Sequence, residues 1–195
     1  GATITIHWNK DMLFNGKFAE FHGGVLAYQD NASLKCQGMQ VTLDRFVSFK
    51  KGQKEKENAK VEKLVCDKKV WVEDETLSPD GKRIAYKRLT GSALDMDNPE
   101  GRFIAPGPGQ TIHIAVGSGD LNPAGPQPMA PKKDAANSNQ GKKMTFTRVD
   151  FEGRMFGSQK PGGPKIAIFY DNVEVYHQPG DDPDVKVDAN KPPKD

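Results

Sequence analysis

The residues best able to do chemistry are few and widely spaced. Cys36 and Cys66 are the only thiols, and His7, His22, His113 and His177 the only imidazoles. A structural zinc site takes four ligands, and the chain has neither a CxxC nor an HxxxH pair, so no metal is expected. Nucleophilic hydrolysis would need an activated serine or thiol, and no G-x-S-x-G elbow is present. "GSGDL" (117–121) has the glycines of a phosphate loop, but no helix signal follows it, so it reads as a plain loop. Asp74 with Glu75 and Asp95 with Asp97 are the paired carboxylates that glycoside chemistry could use. Asp95 and Asp97 share a strand parity opposite Leu94 and Met96, which makes them a solvated face. Asp181, Asp182 and Asp184 lack the spacing and terminal glutamate of an EF-hand. No constellation completes itself, so the expectation is a binding or structural protein, not an enzyme, with no cofactor.

The two cysteines admit two readings. Cys36 shares a strand parity with Leu34, and Cys66 shares one with Leu64 and Val70, so both face inward. A disulfide needs Cα atoms roughly 4.4–6.8 Å apart, which neighbouring strands can meet. It would close a loop of about 30 residues, stabilise the fold by roughly 3–4 kcal/mol and point to an oxidising compartment. The alternative is two buried thiols packed as small hydrophobes.

The elements that would position these residues are strands. "ATITIHW" and "SLKCQGMQVTLDRFVSF" alternate with period two, and Gly38 marks a bulge where the parity switches. Turn signals at Asn15-Gly16, Asp30-Asn31, Pro79-Asp80-Gly81 and Asn98-Pro99-Glu100-Gly101 separate the runs, the pattern of an all-β protein. No stretch carries a convincing helical stripe. Three segments have little to bury: the charged connector Lys50 to Lys60, the Gly- and Pro-rich stretch 117–143, and the tail from Gly180. The expected organisation is a single β domain over 1–179 with a mobile insertion at about 117–143, then a disordered tail, 180–195.

Charge and hydropathy exclude two partner classes. The 28 basic and 26 acidic residues leave a net charge of +2, too little positive field for nucleic acid. No apolar run approaches the roughly 20 residues of a helical membrane span. No signal peptide is visible, and the opening "GATITIHW" reads as trimmed, so the compartment is not written here.

The chain repeats itself. "KFAEFHGGVLAY" (Lys17 to Tyr28) returns as "KIAIFYDNVEVY" (Lys165 to Tyr176) with five of twelve positions identical, and "EKLVCDKKVWVE" (Glu62 to Glu73) is a weaker third copy. One parity is apolar in every copy: Ala19, Phe21, Val25, Ala27; Leu64, Cys66, Val70, Val72; and Ala167, Phe169, Val173, Val175. These are the candidate interior or lipid-facing positions, and the opposite parity is mixed. Each copy breaks in the middle at a polar or glycine pair, Gly23-Gly24, Lys68-Lys69 or Asp171-Asn172, where a bend is expected. A shared inner face suits stacked rungs of one elongated β structure, although any three strands with a turn would align to some degree.

"GGVLAYQDNASLKCQGMQVTL" (Gly23 to Leu43), "VCDKKVWVEDETLSPDGKRIAYKRL" (Val65 to Leu89) and "YDNVEVYHQ" (Tyr170 to Gln178) together resemble the OstA-like family, over roughly Ala2 to Pro106 and Thr145 to Pro179. That family includes the periplasmic bridge that carries lipopolysaccharide toward the outer membrane. The resemblance implies an elongated, rolled, open-ended β-jellyroll of stacked repeats with an apolar interior. It further implies a lipid or lipopolysaccharide-like amphiphile as partner, homo-oligomers by end-strand pairing, envelope proteins as neighbours, and a location in the periplasm or cell envelope. The alternatives are a glycan- or protein-binding β module using outward aromatics (Trp8, Tyr28, Trp71, Tyr176), or a purely structural envelope scaffold. An accessible groove would favour the lipid reading and a filled core the scaffold.

Overall fold

The computed structural model describes residues 4–48, 59–116, 143–160 and 163–187. Nearly all of the expected insertion at 117–143, most of the charged connector, and residues 188–195 of the tail lie outside the described residues. Twelve strands form among the described residues: β1 (Thr5–His7), β2 (Met12–Phe14), β3 (Phe18–Gln29), β4 (Ala32–Leu43), β5 (Val61–Leu77), β6 (Arg83–Asp97), β7 (Arg102–Pro106), β8 (Gly109–Val116), β9 (Met144–Phe151), β10 (Arg154–Gln159), β11 (Lys165–Tyr170) and β12 (Glu174–Pro179). All belong to one antiparallel sheet that does not close on itself, with β1 and β2 on one edge and β11 and β12 on the other. The protein is all-β.

Strands β3 to β6 are long because each runs through a corner. The ladders slip between His22 and Val25, Lys35 and Gly38, and Asp67 and Val70. At these breaks the backbone enters the left-handed region in consecutive pairs: Gly23 and Gly24 (φ 86 and 83), Lys68 and Lys69 (53 and 56), and, between β11 and β12, Asp171 and Asn172 (62 and 45). Two successive positive-φ residues insert a bulge and redirect the strand. The three pairs that interrupt the sequence copies are therefore the corners.

The corners divide the sheet into two arms. The first arm holds β2, the first half of β3, the second half of β4, the first half of β5, the second half of β6, β7, β10 and β11. The second holds β1, the complementary halves of β3 to β6, and β8, β9 and β12. Inward residues of both arms, among them Phe21, Met39, Leu64 and Met155 from the first and Val25, Leu34, Val72 and Leu89 from the second, form one buried cluster. The sheet thus bends so that its arms share a core. Gly157 serves that core directly, since a Cβ there would overlap the Phe103 ring.

A second, smaller cluster lies on the outer face of the second arm. Tyr86, Ile112, Ile114 and Phe146 are buried there, with Val185 and Val187 packed against them. Residues 180–187, expected as part of a disordered tail, instead run across this face. Gly180 N donates to Met144 O (3.0 Å), Arg88 Nη2 to Pro183 O (3.0 Å), and Arg88 Nη1 pairs with Asp184 Oδ1 (2.7 Å). The apolar outer patch supplies the burial that the tail's composition lacks.

Candidate functional site

The interior is built from cross-strand rows, because residues paired in register on one face stand side by side. In the first arm, Phe14, Ala19, Val41, Leu64, Met96, Phe103, Gly157 and Ala167 follow one another across eight strands. In the second, Ile6, Ala27, Leu34, Val72, Leu89, Thr111, Val149 and Val175 do the same. Two apolar tracks, interrupted only by the Thr111 hydroxyl, therefore run from the first edge of the sheet to the last.

Most predicted interior residues lie where expected. Ala19, Phe21, Val25, Ala27, Leu64, Val70 and Val72 are buried, while Ala167 and Phe169 are partly buried against the same cluster. Val173 and Val175 are not buried: they are 42% and 63% exposed. Val175 keeps the inward parity, opposite buried Val149. It belongs to the last rung, however, and among the described residues no further strand covers that edge. The middle of the interior is packed, with Leu64, Cys66, Val72 and Met155 at 0% exposure.

Cys36 and Cys66 are free and buried. The Cys66 thiol is held far above the ordinary thiol range, first by its hydrogen bond with Cys36 and then by burial. It is an unreactive thiol in the folded chain. The outward aromatics divide. Trp8 and Tyr28 are exposed, whereas Trp71 and Tyr176 lie beneath the guanidinium groups of Arg88 and Arg148, each 4.7 Å from the ring centre. No open aromatic platform spans all four. Of the carboxylate candidates, Asp95 is exposed and pairs with Lys63 at 3.4 Å, and Asp97 accepts the Glu100 N–H at 3.0 Å. Both have structural partners.

Two residues farther from the corner in the second arm, the inner face changes character. Asp74 pairs with Lys87, Lys87 with His113, His113 with Thr147 and Thr147 with His177, one polar residue from each of five strands in a single row. Thr147 Oγ1 and His177 Nδ1 are 2.9 Å apart. Burial lowers the Lys87 pKa, and nearby Lys165 lowers it further, an effect that Asp74 opposes more weakly. Sequence reading missed this row. Each member is one polar residue in an alternating strand, and only the register brings the five together.

The chain matches no protein-family model, and no curated protein or solved structure is significantly similar to it. No helix of the described residues is long and apolar enough to cross a membrane.

Proposed function

We propose that this chain is a cell-envelope module of the OstA-like type, a rolled, open-ended jellyroll that binds or passes an amphiphile along its interior. The amphiphile is lipopolysaccharide-like, carrying acyl chains that match the apolar tracks, and the module works by binding, without catalysis. One observation carries the reading: the tracks cross the whole sheet, and the second surfaces at the last rung, where Val175 is 63% exposed. Among the described residues the β1/β2 and β11/β12 edges are unpaired, and they offer backbone groups to a second copy or to another envelope protein. A periplasmic or envelope location follows from that role.

Native mass spectrometry after incubation with lipopolysaccharide below its aggregation threshold tests the binding, and small-angle scattering over a concentration series tests the stacking. Bound lipid and concentration-dependent elongation are expected. A lipid-free compact monomer under all conditions would overturn both parts. The packed middle of the interior favours a second reading, a structural scaffold. Elongation without any lipid adduct would select it.

A further inference from the structure

The polar row lies one step above an apolar track. Asp74, Lys87, His113 and Thr147 each sit two residues along their strands from Val72, Leu89, Thr111 and Val149. Two residues of strand span roughly 6.6 Å, about the depth of a small headgroup above the start of its chain. Inside a single arm the surface thus passes from hydrocarbon-like to polar.

The polar row is also lopsided. Asp74 is its one acid, at the β5 end, and the other four members can all donate hydrogen bonds, depending on tautomer for His113 and His177. Lys165, which shares the inward parity of Ala167 and Phe169 on β11, brings a second ammonium from the opposite arm. The repulsion it exerts on Lys87 outweighs the attraction of Asp74. Two like charges near one partly buried position cost free energy until an anion neutralises them. Lysine serves such an anion as a point charge, and the Thr147 hydroxyl adds a neutral donor.

We propose that the row Lys87–His113–Thr147–His177, with Lys165 facing it, binds a phosphate group, carried as the headgroup of an amphiphile whose acyl chain lies along the apolar track beneath. The assignment rests on the interior being an amphiphile site. It adds the headgroup chemistry and the end of the interior at which the headgroup lies.

Calorimetry on the full chain separates these claims. The probes are myristoyl lysophosphatidic acid and monomyristoylglycerol, both below their aggregation thresholds, and inorganic phosphate, titrated into wild type, Lys87→Met and Lys165→Met. Wild type should prefer the phosphate amphiphile to the glycerol by at least about tenfold, the effect of one charge-assisted contact. Each variant should lose that preference and bind the neutral amphiphile as before. Equal binding of both amphiphiles by wild type would overturn the headgroup site and leave the interior site standing. Binding of inorganic phosphate alone, abolished in Lys87→Met, would overturn the lipid headgroup and with it the amphiphile reading. No binding of any probe would overturn both. Lys165 is exposed, so Lys165→Met keeps the test decisive if Lys87→Met fails to fold.

Discussion

Replacing Lys68 and Lys69 by glycine, as the first copy has at Gly23 and Gly24, should stabilise the protein. Both lysines are exposed and hold φ near +55 (53 and 56). An L-residue in the left-handed region costs roughly 1–2 kcal/mol. Glycine removes that cost but adds roughly 0.5–1 kcal/mol of backbone freedom in the unfolded chain. The net gain is about 0.5–1 kcal/mol per position, so about 1–2 kcal/mol for the pair. In a domain of this size that corresponds to roughly 3–6 °C in Tm. The reverse change has the opposite sign for a second reason. At Gly23 (φ 86) a Cβ would overlap Lys10 Cγ and stand 2.8 Å from Lys10 Cβ. Lys10 cannot easily retreat, because its N–H donates to His22 O (3.1 Å) and the His22 N–H donates to Asp11 O (3.0 Å). Adding overpacking to strain, Gly23→Ala should cost about 2–3 kcal/mol. Urea unfolding followed by circular dichroism and tryptophan fluorescence, with coincident transitions, measures both. A lowered midpoint for the double glycine variant would refute the idea that backbone conformation alone makes these corners.

His22 Nδ1 donates to the Asp11 carboxylate (2.9 Å) and its ring lies 3.3 Å from Glu20, and the Asp11 contact leads in raising its pKa. Its contribution to stability should be complete below about pH 6.5 and lost as pH rises through the raised folded value, so the stability difference from His22→Gln should shrink over that window and its imidazole should titrate late by NMR. Folded protein should resist iodoacetamide at neutral pH and take up two labels on denaturation without reductant, as counted by intact mass; no label on denatured protein would refute the free thiols. Arg88→Met removes a guanidinium stacked on Trp71 and paired with an Asp184 that is itself 75% exposed. The cost should be about 1–2 kcal/mol by chemical denaturation, with faster proteolysis within 180–187.

Much of the architecture was legible because it is local. Alternation marked the strands, and the pairs at Gly23, Lys68 and Asp171 marked the corners, since a break in an otherwise continuous copy has to change the chain's direction. What escaped the sequence depends on which strands become neighbours. Parity placed Val175 on the inner face, opposite Val149, but parity is silent on whether anything lies across from it. The tail's composition argued for disorder. Its docking depends on an outer apolar patch of Tyr86, Ile112, Ile114 and Phe146 that exists only once β6, β8 and β9 align. The polar row is the extreme case: Asp74 and His177 are remote in sequence and are linked through three intervening strands.

The packing of the interior constrains how an amphiphile could enter. Parting the arms along their whole length would uncover the 19 residues of the main cluster. At roughly 1.5–3 kcal/mol for each large apolar side chain returned to water, that exceeds the 5–15 kcal/mol or so by which domains of this kind are stable. Wholesale opening is therefore equivalent to unfolding, and entry has to be local. The last rung is one place where little would have to move. Val173 and Val175 are already exposed there, Phe169 is only partly covered, and Lys165 opens β11 from the facing arm. A chain laid in from that edge would meet the apolar track at Val175 and Val149 while its headgroup met His177 and Thr147, the neighbouring positions of the polar row. In the proposed reading, loading from the β11–β12 edge would reach both rows through residues already exposed, and that edge, like the β1–β2 edge, is unpaired among the described residues.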